Sequence, residues 1–422
     1  MRIFATRRAA VVAVAAAAIL PRLVVLLAER GSILSTYTEK SDTFAETYVK
    51  TGTFGFIPGI PSANTQPLYG YFLIPFYWLF GRHWLVVGLA QIAVATATAL
   101  LVYAIGLRVL PRFAALAAIV ATLNPYLVWH DVHVNREIVD QVVLAGLVLA
   151  IIVAVARRSL AYVTLVGALS GLAILGNSRL TALPVLIAIY IAWRLPAQRV
   201  LAVVLVLVAA AVVVSPWVIR TKVSVGCFAI TTDGRALWKA NNVNTYRVLA
   251  HGGWIDDVPQ QGLPPTPQQA WGTWMSTGKI EHVDECAQMR EFEHKTFVFW
   301  RNHPGEKAKL MLQATQLLWD PRAHETQGRP GKGTWQDTAR SVVEPLYMIP
   351  IYLLALVGLF AARRWFVALA VLLLAYNTAA AMAFAGTTRY RVPFDFLLVL
   401  LAGAAVARYT RSTPSTAAAG EN

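Results

Sequence analysis

Charge is what this 422-residue sequence has least of. Charged residues make up 14%, against roughly 25% in ordinary soluble domains. Acids are scarcest, with 22 Asp and Glu against 37 Lys and Arg. At 57% hydrophobic and a mean hydropathy of +0.54, the chain is not a string of soluble domains. Cysteine is nearly missing, with Cys227 and Cys286 alone. No CxxC or HExxH pattern points to a metal. No Walker A or GxGxxG sequence marks a nucleotide site, so direct use of ATP or a sugar nucleotide has no support. The formal charge of +15 would suggest a polyanion in a soluble protein. Chains of apolar 20-mers build no nucleic-acid groove, which excludes nucleic acid as a partner.

Long hydrophobic runs are what the sequence has instead. A bilayer core about 30 Å thick needs about 20 apolar residues per helix. Runs of that kind lie near 9–28, 84–107, 113–129, 137–156, 160–176, 180–194, 200–219, 345–361, 365–384 and 392–407. The expected fold is an all-α polytopic membrane protein of about ten transmembrane helices with a small mixed extracytoplasmic domain. Residues 1–219 form a transmembrane catalytic module with an external loop at 29–83. Residues 220–344 form the extracytoplasmic domain, 345–411 the C-terminal transmembrane helices, and 412–422 a cytoplasmic tail. The aromatic piece 68–80, interrupted by Pro75, is too short to span and reads as an interfacial helix.

Basic residues set the orientation. With the N-terminus inside, the cytoplasmic set is Arg2, Arg7, Arg8, Arg108, Arg112, Arg157, Arg158, Arg194, Arg199, Arg363, Arg364, Arg408 and Arg411, against one acid, Glu421. Counting 68–80 as a span would invert every later pair. MRIFATRR before an Ala/Val run resembles a signal peptide, but Pro21-Arg22 stands where small residues would be cleaved, which favours an uncleaved first helix. In the 220–344 segment QQGLPPTPQQ (260–269) reads as turn or loop, and 284–318 reads as helical. The segment as a whole reads as α or α/β. Both cysteines fall in it, where an oxidising exterior permits a disulfide; two free thiols are the other reading.

Ionisable residues beside membrane helices are functional candidates, and here they gather on the outer side. Asp42, with Glu39 and Glu46, lies in the first external segment, and Asp131, Arg136, Glu137 and Asp140 surround the outer end of the fourth helix. Arg179, Arg220, Arg389, Arg391 and Arg22 complete the set. A carboxylate can take a proton from an acceptor hydroxyl, and arginines can clamp a departing phosphate. Together these suggest glycosyl transfer from a polyprenyl-phosphate sugar. Each residue also has a structural reading. Arg22, Arg179 and Arg220 suit snorkelling to headgroups, Asp395 suits pairing with Arg391, and His130 and His133 suit the membrane interface.

Six segments, in order, resemble the GT-C superfamily of integral-membrane glycosyltransferases, in its protein O-mannosyltransferase and aminoarabinose transferase branch. They are SDTFAETYVKTGTFGF, TQPLYGYFLIPFYWLFG, LNPYLVWHDVHVNREIVDQVVLAG, LGNSRLTALPVL, SPWVIRTKVSVGCFAITTDGRALWKANN and TTRYRVPFDFLLVLLAG. The resemblance implies an inverting transfer with Asp42 as base and Glu137 at a second acidic position, for which Asp131 competes. Arg389, Arg391, Arg220, Arg179 and Arg22, with Tyr390, then hold the donor phosphate. The expected partners are the polyprenyl-phosphate donor, membrane lipids, and an acceptor glycan, lipid or protein. The expected place is the inner membrane, multi-pass, with the active site outside. No cofactor is certain; a divalent ion shared by Asp42, Glu46 and Glu137 stays open. The alternatives are a flippase or transporter of a lipid-linked sugar, disfavoured because no inverted repeat is seen, or a polysaccharide polymerase or ligase.

Overall fold

The computed structural model describes residues 6–36, 39–259, 263–322 and 335–412. Arg2, residues 260–262 and the tail beyond 412 lie outside the described residues. Among those described there are helices and turns but no strand.

Helix α1 (Arg7–Ala28) begins where the Thr6 hydroxyl accepts from the Ala9 backbone N–H at 3.1 Å. The first connecting segment is itself folded. It holds α2 (Lys40–Thr51), closed by Gly52 at φ 74°, and α3 (Pro67–Phe80). Asp42, expected in a loop, is in the first turn of α2. Helix α4 (Trp84–Val109) follows, and then the run expected as one span over 113–129 divides into α5 (Ala114–Thr122) and α6 (Pro125–His130). Pro125 disfavours helical backbone at Asn124, and the Asn124 side chain instead accepts from the Tyr126 N–H at 3.0 Å. The core continues through α7 (Glu137–Arg157), α8 (Leu160–Gly176), α9 (Leu183–Arg194) and α10 (Arg199–Ser224).

Small residues bring α8 and α10 together. A Cβ on Gly167 would stand 2.5 Å from the Val206 carbonyl, and one on Gly171 would stand 2.8 Å from that of Ala210. This is the small-xxx-small contact that lets membrane helices approach when no hydrophobic drive separates lipid from protein.

Five helices fill the hydrophilic stretch: α11 (Gly234–Lys239), α12 (Thr245–Ala250), α13 (Pro267–Thr277), α14 (Glu285–Asn302) and α15 (Pro304–Trp319). Of the α and α/β readings, the described residues take the helical one. The turn expected over 260–269 stops earlier than read, because Thr266 and Gln269 form a capping box that starts α13 at Pro267. The helical run over 284–318 breaks once, at His303-Pro304. Cys227 and Cys286 are joined in a disulfide, which decides between bridge and free thiols.

The chain returns to the core through α16 (Trp335–Ala361), α17 (Arg364–Ala383), the short α18 (Thr388–Arg391) and α19 (Asp395–Ser412). Among the described residues seven helices are long and apolar enough to cross a membrane: α1, α4, α7, α10, α16, α17 and α19. Helix α8 is apolar but shorter. The remaining two expected spans are the shorter helices α5 and α9. The arginine-bearing ends meet on one side, as when Arg408 of α19 donates to the Phe360 carbonyl near the end of α16 at 3.0 Å. The protein is an all-α, multi-pass membrane protein.

Candidate active site

At the side opposite the arginine pairs, helix ends surround a cavity of about 820 Å³. Its membrane-side wall carries Glu39 and Lys40 from the start of α2, Arg136 before α7, Arg179 between α8 and α9, and Arg389 and Tyr390 from α18. The 228–239 stretch and Trp254–Asp256 line other parts of it.

Arg389 is the bridge across the floor: its guanidinium donates to the carboxylates of both Glu39 and Glu137. Arg136 reaches Glu137 Oε1 at 3.4 Å and donates to Gln66 Oε1 at 2.5 Å, while Gln66 donates to the Ser178 hydroxyl at 3.1 Å. Lys40 donates to Asn64 Oδ1 at 2.9 Å and to Asp233 Oδ2 at 2.5 Å. Burial works against the charged form of Glu39, but Arg389, Arg136 and Lys40 outweigh it and hold the carboxyl below its ordinary range.

Arg179 differs from all of these. It is 9% exposed, its guanidinium lies 3.8 Å from the centre of the Tyr390 ring, and none of its three side-chain nitrogens has a hydrogen-bond partner among the described residues. Buried guanidinium groups are ordinarily paired. Its position is set by the Ser178–Leu180 turn, where the Asn177 side chain accepts from the Arg179 backbone N–H at 3.2 Å. Desolvation by burial lowers the guanidinium to about 10. Asp140 packs just behind this turn: a Cβ on Gly176 would come 2.4 Å from its Oδ1.

Residues 63–219 match the model of the family described as dolichyl-phosphate-mannose-protein mannosyltransferase. The match runs from the segment before α3 into α10. No curated protein matches the chain. Two crystal structures of ArnT from Cupriavidus metallidurans are similar to it at 16% identity, each over 92% of this chain and 77% of the other. The one bound to undecaprenyl phosphate gives a TM-score of 0.42, and the apo state gives 0.33.

The residues singled out from sequence divide into two groups. Arg179, Arg389 and Tyr390 line the cavity, and Glu137 lies behind them, paired with Arg389. Asp42, Asp131, Arg22, Arg220 and Arg391 do not line it. Asp42 accepts from the Tyr77 hydroxyl at 2.5 Å and from Arg82, whose Nη2 is 2.7 Å from Oδ2. Arg22 and Asp131, 1% and 0% exposed, face one another. Arg22 Nε and Nη2 both donate to Asp131 Oδ2, at 3.0 and 2.8 Å, and Gln141 donates to Oδ1 at 3.0 Å. Arg220 donates to the carbonyls of Ser62 and Phe54, at 2.7 and 2.8 Å, and so holds the 54–62 loop. Arg391 pairs with Asp395 at 3.0 Å, the i,i+4 partner expected from sequence. His130 and His133 stack on Tyr126 and Trp129.

Glu39, Lys40 and Arg136 are the cavity residues that sequence reasoning passed over or named only as neighbours. The signal for Glu39 was present, since it stands three residues before Asp42, one helical turn away. The acids considered for a shared divalent ion do not converge: Asp42 is held by Arg82, Glu46 by Lys50, and Glu137 by Arg389.

Proposed function

We propose that this protein is a GT-C glycosyltransferase that moves a sugar from a polyprenyl-phosphate donor to an acceptor hydroxyl, with inversion, at the outer face of the inner membrane. The observation that carries the reading is Arg179, a buried guanidinium without a hydrogen-bond partner in the wall of a cavity large enough for a sugar phosphate. A phosphate there would supply the missing acceptors, and Arg389 and Arg136 stand by to share its charge. The matched family's description names a dolichyl-phosphate sugar. The side assignment draws on the arginine pairs and on the disulfide, which suits an oxidising compartment.

In this reading an acid at the start of α2 takes the acceptor proton. Glu39 is favoured over Asp42 because it lines the cavity, whereas Asp42 is occupied by Tyr77 and Arg82. Binding of the donor phosphate draws Arg389 away from Glu39, which frees a carboxylate beside the anomeric carbon as the acceptor arrives. The phosphate then leaves on the opposite face, neutralised by Arg179 and Arg389.

The test is purified protein with a labelled polyprenyl-phosphate sugar and candidate acceptors, for wild type and for Glu39→Gln and Asp42→Asn. The expected result is transfer by wild type, loss in Glu39→Gln, and a smaller deficit in Asp42→Asn. Absence of transfer together with lipid flipping in acceptor-free liposomes would establish the transporter reading instead. Parallel reactions with and without EDTA show whether a divalent ion takes part.

A further inference from the structure

The loop that presents Arg389 and Tyr390 to the cavity is attached at its start, middle and end to one helix, α15. Helix α15 packs against α17 and α18. At the near end, Lys307 of α15 donates to the Met382 carbonyl at 2.7 Å and to Asn241 Oδ1 at 2.5 Å, and Asn241 donates to the Ala383 carbonyl at 3.0 Å. Met382 and Ala383 end α17, where helix carbonyls lack partners within their own helix and a cation is favoured by the dipole. The cap of α17 is therefore supplied by α15 and by Asn241. Trp300 fixes this clamp, donating to Asn241 Oδ1 at 2.8 Å with its ring 4.8 Å from the Lys307 amine. Desolvation by burial pulls that amine down to about 8.

The middle of the loop touches the same helix through bare backbone. A Cβ on Gly386 would lie 1.6 Å from the Ala314 carbonyl of α15, so no other residue fits without moving the chain. At the far end the roles reverse. Arg391 donates to the carbonyls of Leu318 and Asp320, at 3.0 and 2.7 Å, and so closes the C-terminal end of α15. The Trp319 indole adds a bond to the Thr378 hydroxyl of α17 at 3.2 Å. Arg389 lies between these attachments, five residues beyond the last residue of the Phe384 cap and two short of Arg391.

We propose that α15 is the register brace of the active site, with Lys307, Gly386 and Arg391 as positioning residues that set where the Arg389 guanidinium meets the donor phosphate. The inference rests on the sugar-transfer reading above. Its physical content is that the loop has little freedom of its own and takes its register from α15. A shift of the loop at Gly386 is a shift of Arg389 away from both Glu39 and Glu137.

The experiment measures transfer from a labelled polyprenyl-phosphate sugar by full-length Lys307→Met, Lys307→Arg, Gly386→Ala and Trp319→Phe proteins, with thermal unfolding recorded for each. A misplacement of about 1 Å costs on the order of 100-fold in rate, so Gly386→Ala is expected to lose about that much in kcat while its donor KM changes less than threefold. Lys307→Met should lose about tenfold in kcat, and Lys307→Arg should recover most of it. Trp319→Phe keeps an aromatic ring, though a smaller one, and removes the indole N–H bond to Thr378. It remains a fair test if Gly386→Ala fails to fold, and it should lose two- to threefold in kcat. Wild-type rates in folded Lys307→Met and Trp319→Phe would overturn the brace, as would a loss that appears in donor KM alone. Failure of wild type itself to transfer sugar strikes at the parent reading, which separates the two.

Discussion

Two groups of charge sit near the same ends of the membrane helices and are built on opposite terms. In the pair Arg22–Asp131 each side chain has partners: the guanidinium also donates to the Ala18 and Thr122 carbonyls, both at 3.0 Å, and Gln141 attends the second carboxylate oxygen. At the cavity Arg179 has no hydrogen-bond partner among the described residues, and Glu137, behind the wall, leaves Oε2 without one. Burying a charge is costly unless it is paired. A closed pair is therefore accounted for by the fold, and an open cation is accounted for only by something that binds. The difference sorts the arginines of this chain better than their position in sequence does.

The largest expected effect is at the open cation. Arg179→Ala should reduce transfer from the polyprenyl-phosphate donor by about 1,000-fold, in the range seen when one donor to a developing charge is removed. Its thermal stability should be unchanged or slightly higher, because a desolvated cation has been deleted. Loss of fold in this variant would place Arg179 with the closed pairs and break the comparison. Arg22→Ala should show the reverse pattern. It leaves Asp131 buried and unmatched, at a cost of about 3–5 kcal/mol, read as a large drop in unfolding temperature. The double variant Arg22→Met with Asp131→Leu should recover most of that stability, since neither charge is left alone.

Sequence reasoning reached the membrane architecture because apolar length and arginine placement are local properties. Every long helix follows from a run of side chains, and Arg391–Asp395 was visible as a spacing of four in the sequence. Arg22 and Asp131 are 109 residues apart, and no local pattern announces that they meet. The choice between Glu39 and Asp42 failed to show for a different reason. Both belong to the same short stretch, and which one reaches the cavity depends on the phase of α2 and on Tyr77 and Arg82, brought in from α3 and the turn after it. Helical phase was out of reach while the segment read as a loop. The break at Asn124-Pro125 was likewise hidden inside an unbroken apolar run.

A pH profile sharpens the comparison at the open site. Glu39 sits below the ordinary carboxylate range because Arg389, Arg136 and Lys40 outweigh its burial. A depressed carboxyl contributes stability that is present above its unfolded value and lost as pH falls through the lowered one. The kcat/KM of wild type, which reports the donor-free enzyme, should therefore hold down to pH values below the ordinary 4.5 of a glutamate, wherever the protein stays folded. In Arg389→Gln the largest favourable charge is gone and burial prevails. The acid limb of whatever activity remains should then move upward in pH. A limb that stays in place would mean that Glu39 is not the group whose ionisation controls the reaction.

The smallest effect belongs to a charge pair of the most ordinary kind, and it fixes the lower end of the scale. Glu46 and Lys50 lie at i and i+4 on α2 with their charged atoms 2.6 Å apart, and both side chains are exposed. Solvent screens such a pair, and exposed pairs contribute about 0–1 kcal/mol. Lys50→Ala should therefore change stability by less than about 1 kcal/mol and leave transfer within twofold of wild type. Glu46 shares α2 with Asp42, and Glu39 caps that helix, so this variant asks whether proximity in sequence to the cavity matters in itself. A large loss of transfer would show that α2 senses charge along its whole length. The contrast would then lie between helices, and pairing alone would not explain which charges act.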